Sequence, residues 1–164
     1  MHTDLLARAL EHEHHEIDAG IAAFAAAPGD RQPLMRALGA LRRHIYLEEE
    51  FLFPLLAEAE PALAPPVFVM LREHAQIWDT LDSLEHAAAN ATGGESAAAL
   101  TRQLTVQLLH HNMKEEKILY PRADELPAAA ADRLRSFLAS AKLPDGWVCV
   151  KARPRLGEPA RAER

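Results

Sequence analysis

Apolar residues recur at intervals of three and four along most of the chain, with polar residues filling the gaps, which is the signature of amphipathic helices rather than strands. The first such run extends from about Thr3 to Ala27, carries Leu6, Leu10, Ile17, Ile21 and Phe24 on one stripe, and stops at Pro28-Gly29-Asp30. A second, from about Pro33 to Ala59, turns Leu34, Leu38, Leu41, Ile45, Leu52 and Leu56 inward, and Pro54 is expected to kink it near its end. The third starts at Pro65-Pro66, carries Met70, Leu71, Ile77, Trp78, Leu81 and Leu84, and ends by Asn90-Ala-Thr-Gly-Gly94. The fourth begins near Ser96 and places Leu100, Leu104, Leu108, Ile118 and Leu119 on its apolar face before Pro121. A shorter stretch, Ala128 to Ala141, repeats the helical period with Leu134, Phe137 and Leu138, and the segment after Pro144 reads as irregular.

Short connections between four long helices predict an all-α, up-down-up-down four-helix bundle over residues 1–143, padded by the extra C-terminal helix and followed by a tail over 144–164. At 164 residues and 49% hydrophobic content one core suffices, and the low aromatic share suits helices better than a sheet. The formal charge of -6 argues against a nucleic acid partner. No apolar run is long enough to cross a membrane and no signal-peptide pattern opens the chain, so a cytoplasmic protein is expected. Its one cysteine, Cys149, offers neither a disulfide framework nor a thiolate metal cage.

The nine histidines change the picture, because several stand on the predicted inner faces next to glutamate. His44-x3-Glu48-Glu49-x2-Leu52-Phe53-Pro54 recurs as His111-x3-Glu115-Glu116-x2-Leu119-Tyr120-Pro121, and Glu13-His14-x2-Ile17 recurs as Glu73-His74-x2-Ile77. Each half is a helix pair, so the bundle is expected to have a pseudo-twofold axis. Residues four apart share a helix face, so His44 with Glu48, and His111 with Glu115, each present an imidazole and a carboxylate to one point. With His14 and His74 the set is mixed nitrogen and oxygen, suited to two iron ions and tolerable for manganese or zinc.

Any one of these histidines, taken singly, reads as a surface or hydrogen-bonded core residue. Two inward glutamates with no Lys or Arg on the inner stripes demand a cation, however, since an unpaired buried carboxylate costs several kcal/mol, roughly. Other histidines, His2, His12, His15, His86 and His110, read as solvated, as does Asp18, while Glu49, Glu50 and Glu116 belong to the surface or the surroundings of the site. Tyr120 occupies the slot that Phe53 fills in the other half and reads as packing, as does Trp78.

The set His14, His44, Glu48, His74, His111 and Glu115, with the flanking Leu-Phe-Pro and Leu-Tyr-Pro, resembles the hemerythrin-like family of HHE cation-binding domains. That resemblance covers roughly Asp4 to Pro121 and implies a non-haem di-iron centre bridged by the carboxylates of Glu48 and Glu115. One departure stands out: oxygen-carrying hemerythrins have a second histidine four residues after the third-helix ligand, and Trp78 stands there. The resemblance therefore points away from a dedicated oxygen carrier and towards a sensing or scavenging site for O2, NO or peroxide, in a monomer or homodimer. Iron storage or delivery for cluster repair, and a di-iron oxidoreductase, are the alternatives. A ferritin-like carboxylate bundle fits less well, because only Glu11-x2-His14 has its Glu-x2-His spacing.

Overall fold

Helices account for nearly all of the secondary structure, and the computed structural model describes residues 5–90 and 94–153. They run α1 (Leu6–Ala26), α2 (Gln32–Leu47), α3 (Phe53–Ala59), α4 (Ala64–Ala89), α5 (Gly94–Lys114), α6 (Tyr120–Ala123) and α7 (Ala128–Ser140). Single π-helical turns, Glu48–Leu52 and Glu115–Leu119, join α2 to α3 and α5 to α6, so each predicted long helix is continuous but contains one wider turn. α1 packs along α2 and α4 along α5, and the two hairpins close on each other through α1 with α5 and α2 with α4. This is the expected up-down-up-down bundle.

A π turn precedes Pro54, where a kink is expected, and a second precedes Pro121. Proline has no N–H to give and its ring crowds the carbonyl four residues back. The chain accommodates this by widening the preceding turn: the Phe53 N–H bonds to the Glu48 carbonyl and the Tyr120 N–H to the Glu115 carbonyl, both five residues back. The extra residue also rotates the face beyond it. Ile118, expected inside, is exposed, whereas Leu119 and Tyr120 are buried.

Two apolar clusters fill the interior. One gathers Ile17, Ile21, Phe24, Leu38, Leu41, Ile77, Leu81, Leu104 and Leu108 at the loop end of the hairpins. The other gathers Leu6, Leu10, Leu52, Phe53, Leu56, Met70, Leu119 and Leu134 at the opposite end. In α1, α4 and α5 the chain passes from one cluster to the other through a buried histidine: His14 between Leu10 and Ile17, His74 between Met70 and Ile77, His111 between Leu108 and Leu119. A polar layer thus crosses the waist of an otherwise apolar bundle.

Several contacts fix the frame around that waist. α1 has no side-chain cap of its own, and Asp124, just past the end of α6, supplies one, accepting the Leu6 N–H at 2.6 Å and the Ala7 N–H at 3.4 Å. The Arg43 guanidinium donates to the carbonyls of Leu138 and Ala141 at 2.6 and 2.8 Å, fastening the end of α7 to α2. Phe137 of α7 stacks on Phe51 at 3.9 Å. Beyond α7 the described residues, up to 153, carry one 3-10 turn, Val150–Ala152, and are packed against the bundle. Cys149 and Ala152 enter the loop-end cluster, Trp147 sets its edge against Trp78 and Tyr46, and the Trp147 indole N–H and the Val150 N–H donate to Glu50 and Glu49.

Candidate metal centre

The structure brings together all six side chains singled out from the sequence: His14, His44, Glu48, His74, His111 and Glu115, each at most 3% exposed. They form two halves. The His14 and His44 rings lie 4.8 Å apart, as do those of His74 and His111. A carboxylate spans the halves on each side. Glu48 Oε1 is 3.5 Å from His44 Nε2 and 3.3 Å from His74 Nε2, while Glu115 Oε1 is 3.3 Å from His14 Nε2 and 3.2 Å from His111 Nε2. Two groups of potential metal-binding atoms result, Glu48–His74–His111–Glu115 and His14–His44–Glu115.

While every Nε2 turns to the centre, every Nδ1 turns to a glutamate of another helix. Glu49 bonds to His74 Nδ1 at 2.6 Å and Glu73 to His111 Nδ1 at 3.0 Å; Glu116 and Glu13 face His14 and His44 Nδ1 at 3.5 and 3.7 Å. A carboxylate behind an imidazole fixes the proton on Nδ1 and leaves Nε2 as the donor to a cation. Arg43 and Lys114 in turn pair with Glu13 and Glu73. The sequence repeat carried this signal, since Glu13-His14 matches Glu73-His74 and Glu48-Glu49 matches Glu115-Glu116. What the repeat does not disclose is that each outer glutamate serves a histidine of a different helix.

Tyr120 corrects the packing reading. Its hydroxyl is fully buried within the centre, at 2.8 Å from His14 Nε2, 2.9 Å from His44 Nε2, 2.9 Å from Glu48 Oε2 and 3.3 Å from Glu115 Oε1. It reaches there because it stands five residues after Glu115, across the π turn. Trp78, one helical turn beyond His74, packs instead in the loop-end cluster beneath Arg42 and against Trp147. His12, His15, His86, His110 and Asp18 are exposed, as expected, and His2 lies outside the described residues.

The electrostatics describe a centre that calls for positive charge. Burial alone would lower the pKa of His44, but Glu48, Glu13 and Glu115 outweigh it and lift it to about 9. Against the same burial, Glu115, Glu73 and Glu48 lift His111 to about 10. Burial and the neighbouring Glu115 push Glu48 up, while His111, Glu48 and His14 hold Glu115 well below the usual carboxylate range despite its burial. Burial and the two carboxylates keep the Tyr120 phenol protonated far above its ordinary pKa. Even so, Glu48 Oε1, Glu115 Oε2 and His74 Nε2 are buried without a hydrogen-bond partner. These three orphaned donor atoms, two carboxylate oxygens and one imidazole nitrogen turned to one point, fit divalent or trivalent metal ions.

Helical bundle and buried imidazole–carboxylate cluster together define a cation-binding helical bundle protein. The chain belongs to the hemerythrin HHE cation binding domain family, which matches residues 5–123. Among curated proteins it is similar to the iron-sulfur cluster repair protein YtfE of Yersinia pseudotuberculosis serotype O:1b (strain IP 31758), with 32% identity over 111 residues, covering 58% of this chain and 50% of that protein. The protein of the same name in Yersinia pestis (strain Pestoides F) is 33% identical over 98 residues, covering 55% of this chain and 44% of its own length. The chain thus spans about half the length of the curated relatives it matches. No solved structure matches significantly.

Proposed function

We propose that His14, His44, Glu48, His74, His111 and Glu115 hold two iron ions, with Glu48 and Glu115 as bridges, and that the centre binds O2, NO or a related small ligand in a sensing or scavenging role. The observation that carries this reading is the pair of spanning carboxylates, each within 3.5 Å of one imidazole from either half. Four imidazoles and two bridges give each metal about four protein donors, short of the six that iron favours, so an exogenous ligand has somewhere to bind. Bound there, the metals would supply electrons and Lewis acidity to that ligand.

This chain's own residues do the rest. Glu49 and Glu73 orient the His74 and His111 imidazoles, Glu116 and Glu13 face those of His14 and His44, the apolar clusters above and below exclude bulk water, and Tyr120 places a hydroxyl among the ligands. Reconstitution with iron(II) under anaerobic conditions, followed by O2 or NO, tests the reading: two irons per chain and a spectral change on adding the gas are expected. Glu48→Ala and Glu115→Ala should each lower the stoichiometry well below two, and unchanged metal content in both would sink the bridging assignment.

The relatives' name favours a second reading, iron delivery during iron-sulfur cluster repair. The two separate by where the iron goes. A sensor or scavenger keeps its metal through cycles of ligand binding, whereas a donor loses iron to an apo-cluster acceptor.

A further inference from the structure

The six proposed ligands leave Tyr120 unexplained. A side chain that only packed at this place could be phenylalanine, as its quasi-twofold counterpart Phe53 is, with its ring stacked on His74 at 5.6 Å and no oxygen to offer. Tyr120 instead carries a hydroxyl to within 2.8 and 2.9 Å of the Nε2 atoms of His14 and His44, and to 2.9 and 3.3 Å of one oxygen from each bridging glutamate. His14, His44 and Glu115 form the candidate metal-binding group of that half, and Glu48 reaches it from the other. We propose that Tyr120 Oη is itself a ligand in that half, so that the two metals are chemically unlike and the open position for an exogenous ligand lies in the His74–His111 half.

The chemistry supports the asymmetry. A phenolate is a hard oxygen donor of the kind that suits iron(III), and tyrosinate ligation of iron has precedent in the haem of catalase. On loading, the phenolic O–H bond breaks, an Oη–metal bond forms, and the proton passes to solvent together with those displaced from the other ligands. No electron moves in this step. Phe53 cannot do the same on the other side, so that half keeps one protein donor fewer.

The proposal rests on the two-metal reading, and its test separates the two. Wild type, Tyr120→Phe and Phe53→Tyr are loaded anaerobically with iron(II) and oxidised with ferricyanide. Iron per chain, the visible spectrum and resonance Raman scattering are then recorded, and azide serves as the ligand probe. Wild type is expected to hold two irons, to show a phenolate-to-iron(III) charge-transfer band with tyrosinate vibrations, and to bind one azide. Tyr120→Phe should keep two irons, lose the band and bind a second azide; Phe53→Tyr should intensify the band and lose azide binding.

If Tyr120→Phe does not fold, the wild-type Raman spectrum decides alone. The chain has two tyrosines, and the other, Tyr46, packs against Phe51 and Trp147. Two irons without tyrosinate vibrations would overturn the Tyr120 ligand and leave the site standing. Failure to hold two irons would overturn the site and this proposal with it.

Discussion

Each imidazole turns Nε2 to the centre and Nδ1 towards a glutamate from another helix, and for His74 and His111 that glutamate is hydrogen-bonded. Such outer partners typically account for about 10–100-fold in metal affinity. Glu73→Gln, which keeps the shape but removes the charge opposite His111 and Lys114, should therefore weaken metal binding by about that factor in chelator competition, with the helical content unchanged. An unaltered affinity would mean that the Nδ1 contacts do not tune the site. At this scale the sequence was largely legible. His44 with Glu48 and His111 with Glu115 announce themselves by i,i+4 spacing, and repetition in order ties His14 and His74 to them. Tyr120 was not, because an α-helical period turns the residue four after Glu115 inward, and only the wider π turn brings the fifth one there.

Among the elements, the π turns set which face of each helix turns inward beyond Glu48 and Glu115, and the second of them brings Tyr120 to the centre. Pro54 and Pro121 mark both in the sequence, but a proline alone does not distinguish a kink from a widened turn. Gly20 was equally silent. A Cβ there would meet the Ala37 Cβ at 2.8 Å and the Pro33 carbonyl oxygen at 3.0 Å, so α1 and α2 approach each other at that glycine. Gly20→Ala gains up to about 1 kcal/mol of helix propensity but overpacks against atoms fixed to backbone, at about 1–3 kcal/mol. The net result should be a lower urea midpoint. Gly39, in α2 with open space around its Cβ position, should behave oppositely, and Gly39→Ala should raise the midpoint by an amount corresponding to about 0.5–1 kcal/mol. Equal shifts for the two variants would contradict the close approach of α1 and α2.

As a whole molecule the protein is two apolar cores separated by a layer of charge. The fold class, the helix pairing and the place of the layer all follow from the apolar stripes and short connections. The packing of the segment after α7 does not, since Trp147 and Cys149 lie in a stretch with no period to reveal which side turns inward. A layer holding Glu48 and Glu115 in full burial is costly without cations, so removing metal with a chelator should lower the melting temperature markedly, and restoring iron should recover it. The most direct test of the two-metal centre is an anomalous difference map from a crystal of the iron-loaded protein, recorded at the iron edge. Two peaks bridged by Glu48 and Glu115, one beside His14 and His44 and the other beside His74 and His111, are expected; a single peak, or peaks outside this cluster, would contradict the account.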